Sequence, residues 1–348
     1  MSLRKAAVIT AGSWGTGLAS VLADNDFAVT LYTRTQAQAD EINDSRRNGK
    51  YTGDFVLSER ITATASMEEA LSGAGVVLFV SPSHAMRQVA RQARPYVLAS
   101  ATVIHATKGF EPETMKRMTT VLAEELPHLD PSRLVVLSGP SHAEEVVQRR
   151  PTTVVVAADC LEAAEQAQDV LINPYFRVYT NPDVIGVEVG GALKNIIALG
   201  AGLSDGLGFG DNAKAALLTR GLAEIARLGA SMGGHALTFS GLAGVGDLVV
   251  TCTSQHSRNW RAGYLLGQGR PLDEVLETMG MVVEGVKTTK TAYALSKQYE
   301  VSMPITEQLH EVLFAGKEPQ QAVGHLMGRG RTHENEELAD AFGGKWIL

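Results

Sequence analysis

One lysine stands in a segment that otherwise carries almost no charge. Residues 186–202 have the sequence GVEVGGALKNIIALGAG, in which Glu188 and Lys194 are the only charged side chains. Burial disfavours the ammonium form of a lysine, so its pKa falls toward the range useful for proton transfer. Lys194 is therefore a candidate general acid and base. The alternative is a lysine whose stem packs in the core while its head reaches water or a carboxylate.

A second polar cluster has the composition of an anion-binding site. Ser257, Arg258 and Asn259 follow the glycine-rich stretch GLAGVGDLVVTCT, and Ser257 suits the N-cap of a helix. The unpaired N–H groups of a helix start favour an anion, and the forked guanidinium of Arg258 suits phosphate oxygens. A capped surface helix with an exposed arginine is the alternative. Asp247, within the glycine-rich stretch, is either a turn former or a partly buried carboxylate that holds a lysine.

Two further segments place polar residues directly after apolar runs of strand type. HATKGF puts Lys108 at the edge of a predicted sheet, where open α/β sheets bind their ligands, although a surface lysine is the alternative. LSGPSHAEEV follows another such run, and its Gly-Pro turn could expose the backbone N–H groups of Gly139, Ser141 and Ala143. Both segments are therefore candidates for lining a ligand site.

The first predicted strand leads into a turn that contains part of a dinucleotide fingerprint. In VITAGSWGTGLA, Gly12 and Gly15 stand where the second and third glycines of GxGxxG fall. Gly12 would let the backbone approach a pyrophosphate, and Gly15 would let the helix pack on the strand. Thr10 replaces the first glycine, so the complete motif is absent. An ordinary tight turn between strand and helix is the alternative to a cofactor site.

The end of the second predicted strand bears on which dinucleotide would bind. An NAD site usually has an acidic side chain there for the ribose hydroxyls, whereas this chain has Thr33 and Arg34. An arginine can pair with the 2′-phosphate of NADP, so Arg34 is compatible with NADP. A solvated surface arginine is the alternative.

Short β-type runs alternate with helical patterns in the first half of the chain, and helical patterns alone follow in the second half. The predicted strands are 6–10, 27–32, 76–80, 102–105, 134–137 and 152–157, and the helices between them include one at 112–126. The helices predicted for the second half are 187–203, 211–229, 258–267, 272–279, 285–299 and 304–314. This pattern predicts an α/β fold, with an N-terminal Rossmann-type doubly wound sheet in residues 1–185 and an all-α C-terminal domain in residues 186–348.

Composition and charge restrict the class of protein. The 348 residues are 45% hydrophobic and 20% charged, which is typical of a folded globular chain. The formal net charge of −7 argues against wholesale binding to nucleic acid or an anionic membrane, yet allows a local basic pocket. Cys160 and Cys252 lack the spacing of a zinc site and no histidine supplies it, so we expect reduced thiols and no metal. The uncharged run at 6–23 is too polar for a signal peptide, so we expect a cytoplasmic protein without integral membrane association.

Several long segments together resemble bacterial NAD(P)-dependent glycerol-3-phosphate dehydrogenase. They are AGSWGT, TKGFEP, LSGPSHAEEV, GALKNIIALGAGLSDGLGFGDNAKAALLTRGLAE, GLAGVGDLVVTCTSQHSRN and VVEGVKTT, and the resemblance extends over residues 5–336. It implies a Rossmann domain, a helical domain, a homodimer and NAD or NADP as the cofactor. It also implies interconversion of sn-glycerol 3-phosphate and dihydroxyacetone phosphate by direct hydride transfer, which supplies glycerol 3-phosphate for phospholipid synthesis.

The resemblance also implies roles for individual residues. Lys194 would be the proton acceptor in the oxidation direction, and Lys108 would contact both substrate and cofactor. The other residues that would line the substrate site are Gly139, Ser141, Asp247, Ser257, Arg258 and Asn259. The residues that would hold the dinucleotide, besides Gly12, Gly15 and Lys108, are Ser13, Trp14, Arg34, Tyr51, Ala143, Arg258, Val282 and Glu284.

The chain departs from the family pattern at three places. Thr10 replaces the first fingerprint glycine, Gly17 replaces a usual alanine, and Tyr51-Thr52-Gly53 replaces the common Tyr-Leu-Pro. The change at Thr10 bears on cofactor affinity rather than on the fold. Two alternatives stay open: a Rossmann-plus-helical reductase of the ketopantoate or hydroxyacid type with a carboxylate substrate, and a dinucleotide-binding regulator without catalysis.

Overall fold

Eight strands join into one sheet within the part of the chain that this computed structural model describes, residues 4–331, 333 and 334. The strands are β1 (Arg4–Ile9), β2 (Phe27–Tyr32), β3 (Ile61–Thr64), β4 (Val76–Phe79), β5 (Thr102–His105), β6 (Val135–Ser138), β7 (Thr152–Ala157) and β8 (Phe176–Asn181). Their order across the sheet is β3-β2-β1-β4-β5-β6-β7-β8. Neighbouring strands run parallel, except that β6 and β7 are antiparallel.

Both faces of the sheet are covered by helices, which is why the buried parts of its central strands are mostly apolar. In β1, Ala6 and Val8 pack into one hydrophobic core, whereas Ala7 and Ile9 pack into a second core on the opposite face. The helices of this half are α1 (Ser13–Asp24), α2 (Gln36–Ser45), α3 (Gly49–Thr52), α4 (Met67–Leu71), α5 (Met86–Ala93), α6 (Met118–Glu125), α7 (Ala143–Val147) and α8 (Leu161–Leu171).

The strand order reverses direction between β1 and β4. After β1 the chain builds outward through β2 and β3, and it then returns to place β4 on the other side of β1. The carboxyl ends of β1 and β4 therefore flank a crevice, and open α/β sheets bind their ligands in such a crevice.

The second half of the chain is helical and is built around one long helix. Its helices are α9 (Val184–Gly206), α10 (Gly210–Ser231), α11 (Ala236–Phe239), α12 (Asp247–Thr253), α13 (Arg258–Gly267), α14 (Leu272–Met279), α15 (Glu284–Gln298), α16 (Pro304–Phe314) and α17 (Pro319–Met327). Helix α9 is buried along most of its length. A Cβ at Gly202 of α9 would lie 1.9 Å from the carbonyl oxygen of Trp260 in α13, so glycine is required for this close crossing.

The predicted fold class is confirmed, and all six predicted strands are present. The strands β3 and β8, which the sequence analysis missed, lie at the two edges of the sheet. Both have alternate residues exposed, so they lack the continuous apolar run of a central strand. The helix predicted at 112–126 was wrong in its first part, because α6 begins only at Met118. A turn precedes it, in which Met115 has a left-handed φ of +59° and donates its N–H to the carbonyl of Glu111.

Two helical stretches of the described residues are long and apolar enough to cross a membrane by length and composition alone. They are Val184–Gly206, which is 94% buried in its most apolar window, and Ala236–Thr253, which is 44% buried. The first is α9, the central core helix, and a buried core helix meets the same criterion.

Candidate active site

Two lysines from different halves of the chain bind one buried aspartate. Lys194, on α9, donates from Nζ to Oδ1 of Asp247 at 2.5 Å, and Lys108, after β5, donates to Oδ2 at 2.7 Å. Lys194 also donates to the hydroxyl of Thr251 at 2.7 Å. Asp247 is 1% exposed and Lys194 is 5% exposed, so water has little access to this pair. The candidate general acid and base and the candidate lysine-binding carboxylate are therefore in contact.

The start of α12 sets the orientation of these groups. Asp247 is its first residue and Thr251 lies one turn later, so the two side chains share a helix face. The Thr251 hydroxyl donates to the backbone carbonyl of Asp247 at 2.6 Å, which leaves its oxygen free to accept from Lys194. A single turn of π-helix, Leu242–Gly246, leads into α12 where the sequence predicted only a glycine-rich turn.

Burial and charge act on the pKa of Lys194 in opposite directions. Desolvation lowers the pKa most, Asp247 raises it, and Lys108 lowers it again, which leaves it at about 8. Burial alone would raise the pKa of Asp247, but the ammonium groups of Lys108 and Lys194 hold it below its usual range. Asp247 therefore remains a carboxylate, while Lys194 can exchange a proton near neutral pH.

The loop after β6 completes the surroundings of Lys108. Its Nζ donates to the carbonyl oxygen of Gly139 at 2.9 Å and lies 3.5 Å from the Oγ of Ser141. Ser141 Oγ donates to the same carbonyl at 2.9 Å. Gly139 has a φ of +126°, and a Cβ there would lie 3.1 Å from the Cα of Val154, so only glycine fits. Gly139 and Ser141 thus lie beside the lysines, where the resemblance places the substrate.

Ser257, which is buried, and Arg258 lie at the start of α13 and form the candidate anion site. Ser257 Oγ accepts from the backbone N–H of Trp260 at 3.2 Å, so it caps α13 as the sequence predicted. Arg258 is exposed, and its guanidinium donates to the carbonyl oxygen of Val282 at 3.1 Å. This single contact leaves most of its donors available for an anion.

Asn259 connects this corner to the helix that carries the buried lysine. Its Nδ2 donates to Oδ1 of Asn195 at 2.8 Å, and its Oδ1 accepts from the backbone N–H of Gly285 at 2.8 Å. Because Asn195 directly follows Lys194 on α9, the start of α13 lies one residue away from the lysine along that helix. The candidate anion site therefore contacts α9 at the residue next to the candidate proton donor.

The turn after β1 has the features of a dinucleotide cradle. A Cβ at Gly12, the N-cap of α1, would meet nothing within 4 Å, so open space faces the turn. A Cβ at Gly15 would lie 2.1 Å from the carbonyl oxygen of Thr10, so only glycine lets α1 pack this closely. The first N–H groups of a helix have no intrahelical partner and favour an anion. These residues fit a dinucleotide pyrophosphate.

Helix α7 packs against α1 beside the turn that follows β1. A Cβ at Gly17 would lie 3.5 Å from the ring of Trp14 and 3.8 Å from the Cα of Ala143, so these residues meet where α1 packs on α7. The Nε1 of Trp14 is buried and has no hydrogen-bond partner. A buried donor without a partner beside the open turn is a group that a polar atom of a bound dinucleotide could satisfy.

The remaining predicted cofactor residues lie around this crevice without forming one cluster. Ser13 Oγ donates to the carbonyl oxygen of Tyr51 at 2.9 Å, which ties the short helix α3 to the start of α1. Glu284, at the start of α15, accepts from the hydroxyl of Ser83 at 3.0 Å and so connects the two halves of the chain. Arg34 is exposed just after β2.

A buried carboxylate that the sequence analysis left without a role joins α9 to the start of α6 and to the end of β5, the strand that Lys108 follows. Glu188 accepts from the backbone N–H of Thr119 at 2.8 Å, from its hydroxyl at 2.7 Å and from Arg117 at 2.5 Å. His105 Nε2 lies 3.1 Å from Glu188 without an aligned hydrogen bond. Burial alone would raise the pKa of Glu188, but His105 and Arg117 hold it at about 2.

Sequence reasoning also missed Thr251, which accepts from Lys194, and Asn195, which accepts from Asn259. Thr251 would have been found from its spacing to Asp247 only if the apolar run had been interpreted as a helix. Asn195 lies beside Lys194 in the same apolar segment, and this position was the available signal. In residues 4–331, 333 and 334, no group of three or more His, Cys, Asp or Glu side chains is placed to hold a metal ion.

Comparison with known proteins decides the family. Models of the N-terminus and C-terminus of NAD-dependent glycerol-3-phosphate dehydrogenase match residues 5–164 and 183–324. The chain belongs to this family. A glycerol-3-phosphate dehydrogenase [NAD(P)+] of Bacillus subtilis is 57% identical over 340 residues, which cover 98% of this chain and 99% of the relative. The predicted family, enzyme class and cofactor class are therefore confirmed.

Solved structures agree with this assignment. A glycerol-3-phosphate dehydrogenase from Coxiella burnetii has a TM-score of 0.90 and 38% identity, covering 94% of this chain and 99% of that one. A ketopantoate reductase from Ralstonia eutropha has a TM-score of 0.58 at 14% identity, covering 92% of this chain and 99% of that one. The second likeness concerns the fold alone.

Proposed function

We propose that this dehydrogenase interconverts sn-glycerol 3-phosphate and dihydroxyacetone phosphate with Lys194 as the group that exchanges the proton. The observation that supports this role is the contact of Lys194 with Asp247. Both side chains are almost completely buried, and Asp247 also binds Lys108. A lysine with a pKa of about 8 can act as a base when neutral and as an acid when charged.

The proposed mechanism needs two complementary forms of Lys194. In oxidation its neutral amine accepts the proton of the substrate's central hydroxyl, and in reduction its ammonium donates a proton to the developing alkoxide. Asp247 keeps the amine oriented and stabilises the ammonium that forms. The second ammonium, on Lys108, adds positive charge on the side of Gly139 and Ser141, where the substrate would lie.

The substrate phosphate would bind at the start of α13. Arg258 offers a forked guanidinium there, and Asn259 is fixed by contacts with Asn195 and Gly285. Ser257 Oγ accepts from the N–H of Trp260 in capping α13, so its hydroxyl hydrogen stays available to donate to the phosphate, beside the free N–H groups of the helix start. The adjacency of Asn195 and Lys194 would bring the phosphate end and the reacting carbon of one triose within reach of one site.

The dinucleotide would bind in the crevice between β1 and β4. Gly12 and Gly15 would admit the pyrophosphate, and the surrounding residues would be Ser13, Trp14, Arg34, Tyr51, Lys108, Ala143, Arg258, Val282 and Glu284. When bound, its nicotinamide exchanges a hydride with the central carbon of the substrate. The protein's task is then to align two carbons and to stabilise charge.

The proposal has four further parts. The division into domains at residues 185 and 186 rests on the change from alternating to helical patterns, and a cytoplasmic location rests on the polar run at 6–23 and the expected reduced thiols. A homodimeric state and supply of glycerol 3-phosphate for phospholipid synthesis rest on the family resemblance. Sedimentation equilibrium of the purified protein would measure the oligomeric state, and a mass equal to one chain would contradict the homodimer.

One spectrophotometric experiment tests substrate and cofactor together. Oxidation of NADH and of NADPH is followed separately with dihydroxyacetone phosphate and with a panel of 2-keto acids. We expect oxidation with the triose phosphate and little with the keto acids, because Arg258 and the start of α13 suit a phosphate. Preference for a keto acid would favour the ketopantoate or hydroxyacid alternative, and no oxidation with any substrate would favour the non-catalytic regulator.

A further inference from the structure

Thr10 occupies the first glycine position of the dinucleotide turn in a conformation that suits glycine. Its φ is +92°, and it is the only β-branched residue with a positive φ in the described part of the chain. The other non-glycine residues with positive φ there have values between 55° and 63°. A β-branched side chain in this region is a conformational outlier, so the turn holds Thr10 in a strained backbone state.

Contacts on both sides of Thr10 keep it in this state. Its carbonyl oxygen is packed against Gly15, where a Cβ would lie at 2.1 Å. Its hydroxyl shares a hydrogen bond of 2.8 Å with the hydroxyl of Ser81. Ser81 is itself fixed, because it is 2% exposed and its carbonyl accepts from Thr107 Oγ1 at 2.6 Å. The glycine-type turn is therefore retained in spite of the threonine.

The hydroxyl pair lies across the crevice in which the dinucleotide is proposed to bind. Thr10 follows β1, Ser81 follows β4, and these two strands are neighbours at the reversal of strand order. Ser81 is buried, whereas Thr10, whose hydroxyl contacts it, is partly exposed, so of this pair the threonine is the residue nearer the open side. Two residues further on, Gly12 faces open space. The Thr10 side chain thus takes up room beside the cradle that a glycine would leave free.

We propose that Thr10 is a determinant of cofactor affinity in this chain and weakens dinucleotide binding relative to glycine. The proposal rests on the proposed cofactor site at this turn. The backbone strain is present with and without the dinucleotide, so it lowers the stability of the fold rather than the affinity. The side chain, held over the crevice by Ser81, restricts the approach of the dinucleotide, so it raises the Kd.

The test separates the backbone from the side chain with three variants of the full-length protein. Thr10→Gly removes both strain and side chain, Thr10→Ala keeps a Cβ in the strained backbone, and Ser81→Ala removes only the hydroxyl partner. The Kd for NADH and for NADPH is measured by fluorescence titration in the absence of substrate. The Tm of each cofactor-free protein is measured in parallel.

We expect Thr10→Gly to lower the Kd by at least about threefold and to raise the Tm of the cofactor-free protein. Thr10→Ala should lower the Tm, because it keeps the strain and loses the hydrogen bond. Ser81→Ala should change the Kd less than Thr10→Gly does, because the threonine stays in place. An unchanged or higher Kd for Thr10→Gly would overturn the proposal while leaving the cofactor site intact. If neither the natural protein nor Thr10→Gly bound NADH or NADPH, the proposed cofactor site itself would be wrong.

Discussion

Lys194 and Asp247 form a nearly buried ion pair, in which Nζ and Oδ1 are 2.5 Å apart. An isolated charge in such an environment is strongly unfavourable, so each group depends on the other to remain ionised. The second carboxylate oxygen of Asp247 binds Lys108 in the same way. One acid therefore fixes two amines from different halves of the chain.

Replacing Lys194 should affect turnover far more than binding. Lys194→Ala removes the proposed proton donor and acceptor, and loss of such a group reduces kcat by about 10²- to 10⁴-fold. Asp247 keeps Lys108 as a partner, so the KM for dihydroxyacetone phosphate should change little. Steady-state kinetics at saturating cofactor would measure both constants. Lys290→Ala, at an exposed lysine of α15, is the control, and near-normal kcat in Lys194→Ala would refute the assigned role.

The two directions of the reaction should depend on pH in opposite ways. Oxidation requires the neutral amine of Lys194, whose pKa burial lowers to about 8, so kcat/KM for glycerol 3-phosphate should rise up to about that pH and then level off. Reduction requires the ammonium, so kcat/KM for dihydroxyacetone phosphate should fall above it. The apparent pKa belongs to the coupled Lys108–Asp247–Lys194 group rather than to Lys194 alone. Parallel pH profiles in both directions would contradict this role.

Replacing Asp247 should lower both stability and the apparent pKa of the reaction. Asp247→Asn leaves two ammonium groups close together without their shared counter-charge, and breaking a buried pair costs about 3–5 kcal/mol. Without the carboxylate that raises its pKa, Lys194 should lose its proton at lower pH. Urea unfolding would measure the free energy, and the pH profile of oxidation would measure the shift. If the apparent pKa of the oxidation profile were the same in Asp247→Asn as in the natural protein, Asp247 would not act on Lys194.

Arg258 should determine affinity for the phosphate group of the substrate. Removing its guanidinium in Arg258→Ala should raise the KM for dihydroxyacetone phosphate by about tenfold or more, since charge-assisted hydrogen bonds contribute roughly 1.5–3 kcal/mol. Arg261→Ala is a matched control, because Arg261 is exposed one turn later on α13. Equal KM values for the two variants would place the phosphate elsewhere.

Glu224 should make stability depend on pH for a reason unrelated to catalysis. This carboxylate of α10 accepts from the backbone N–H of Ile305 at 2.6 Å and of Thr306 at 3.1 Å at the start of α16. Desolvation outweighs these donors and raises the pKa of Glu224 to about 7 from 4.5. The folded state therefore holds the proton more tightly, and the resulting stabilisation is complete below pH 4.5 and is lost as the pH rises through about 7.

The variant Glu224→Gln isolates this effect because it cannot titrate. The free energy of unfolding, measured in urea from pH 5 to pH 8, should fall in the natural protein relative to the variant by on the order of 1–3 kcal/mol. If Glu224 were already ionised at pH 5, the free energies of unfolding of the two proteins would change in parallel from pH 5 to pH 8.

The sequence predicted the parts of the site better than the contacts between them. Lys194 and Asp247 stood out because each is a charge in an apolar or glycine-rich segment, and burial of such charges has a chemical meaning. Their contact depends on how α12 crosses α9, which no local pattern contains. Thr251 was missed because its link to Asp247 exists only once residues 247–253 form a helix.

The central part of the fold was predictable because burial on both faces of a strand leaves a local apolar pattern in the sequence. Central strands such as β1 and β4 are buried on both faces and give unbroken apolar runs, whereas the edge strands β3 and β8 are half exposed. Glu188 was visible as a charge, but its partners Thr119 and Arg117 approach from the other half of the chain. Partners this distant in sequence leave no local periodicity.

The contact of Glu188 with the start of α6 has a consequence for how the enzyme reaches its reactive geometry. It joins the helix that carries one amine to the strand and loop that carry the other, so the spacing of the two amines is set when the chain folds. Little reorganisation energy then remains to be supplied when the triose arrives, because the two amino groups already lie beside the place where charge will develop.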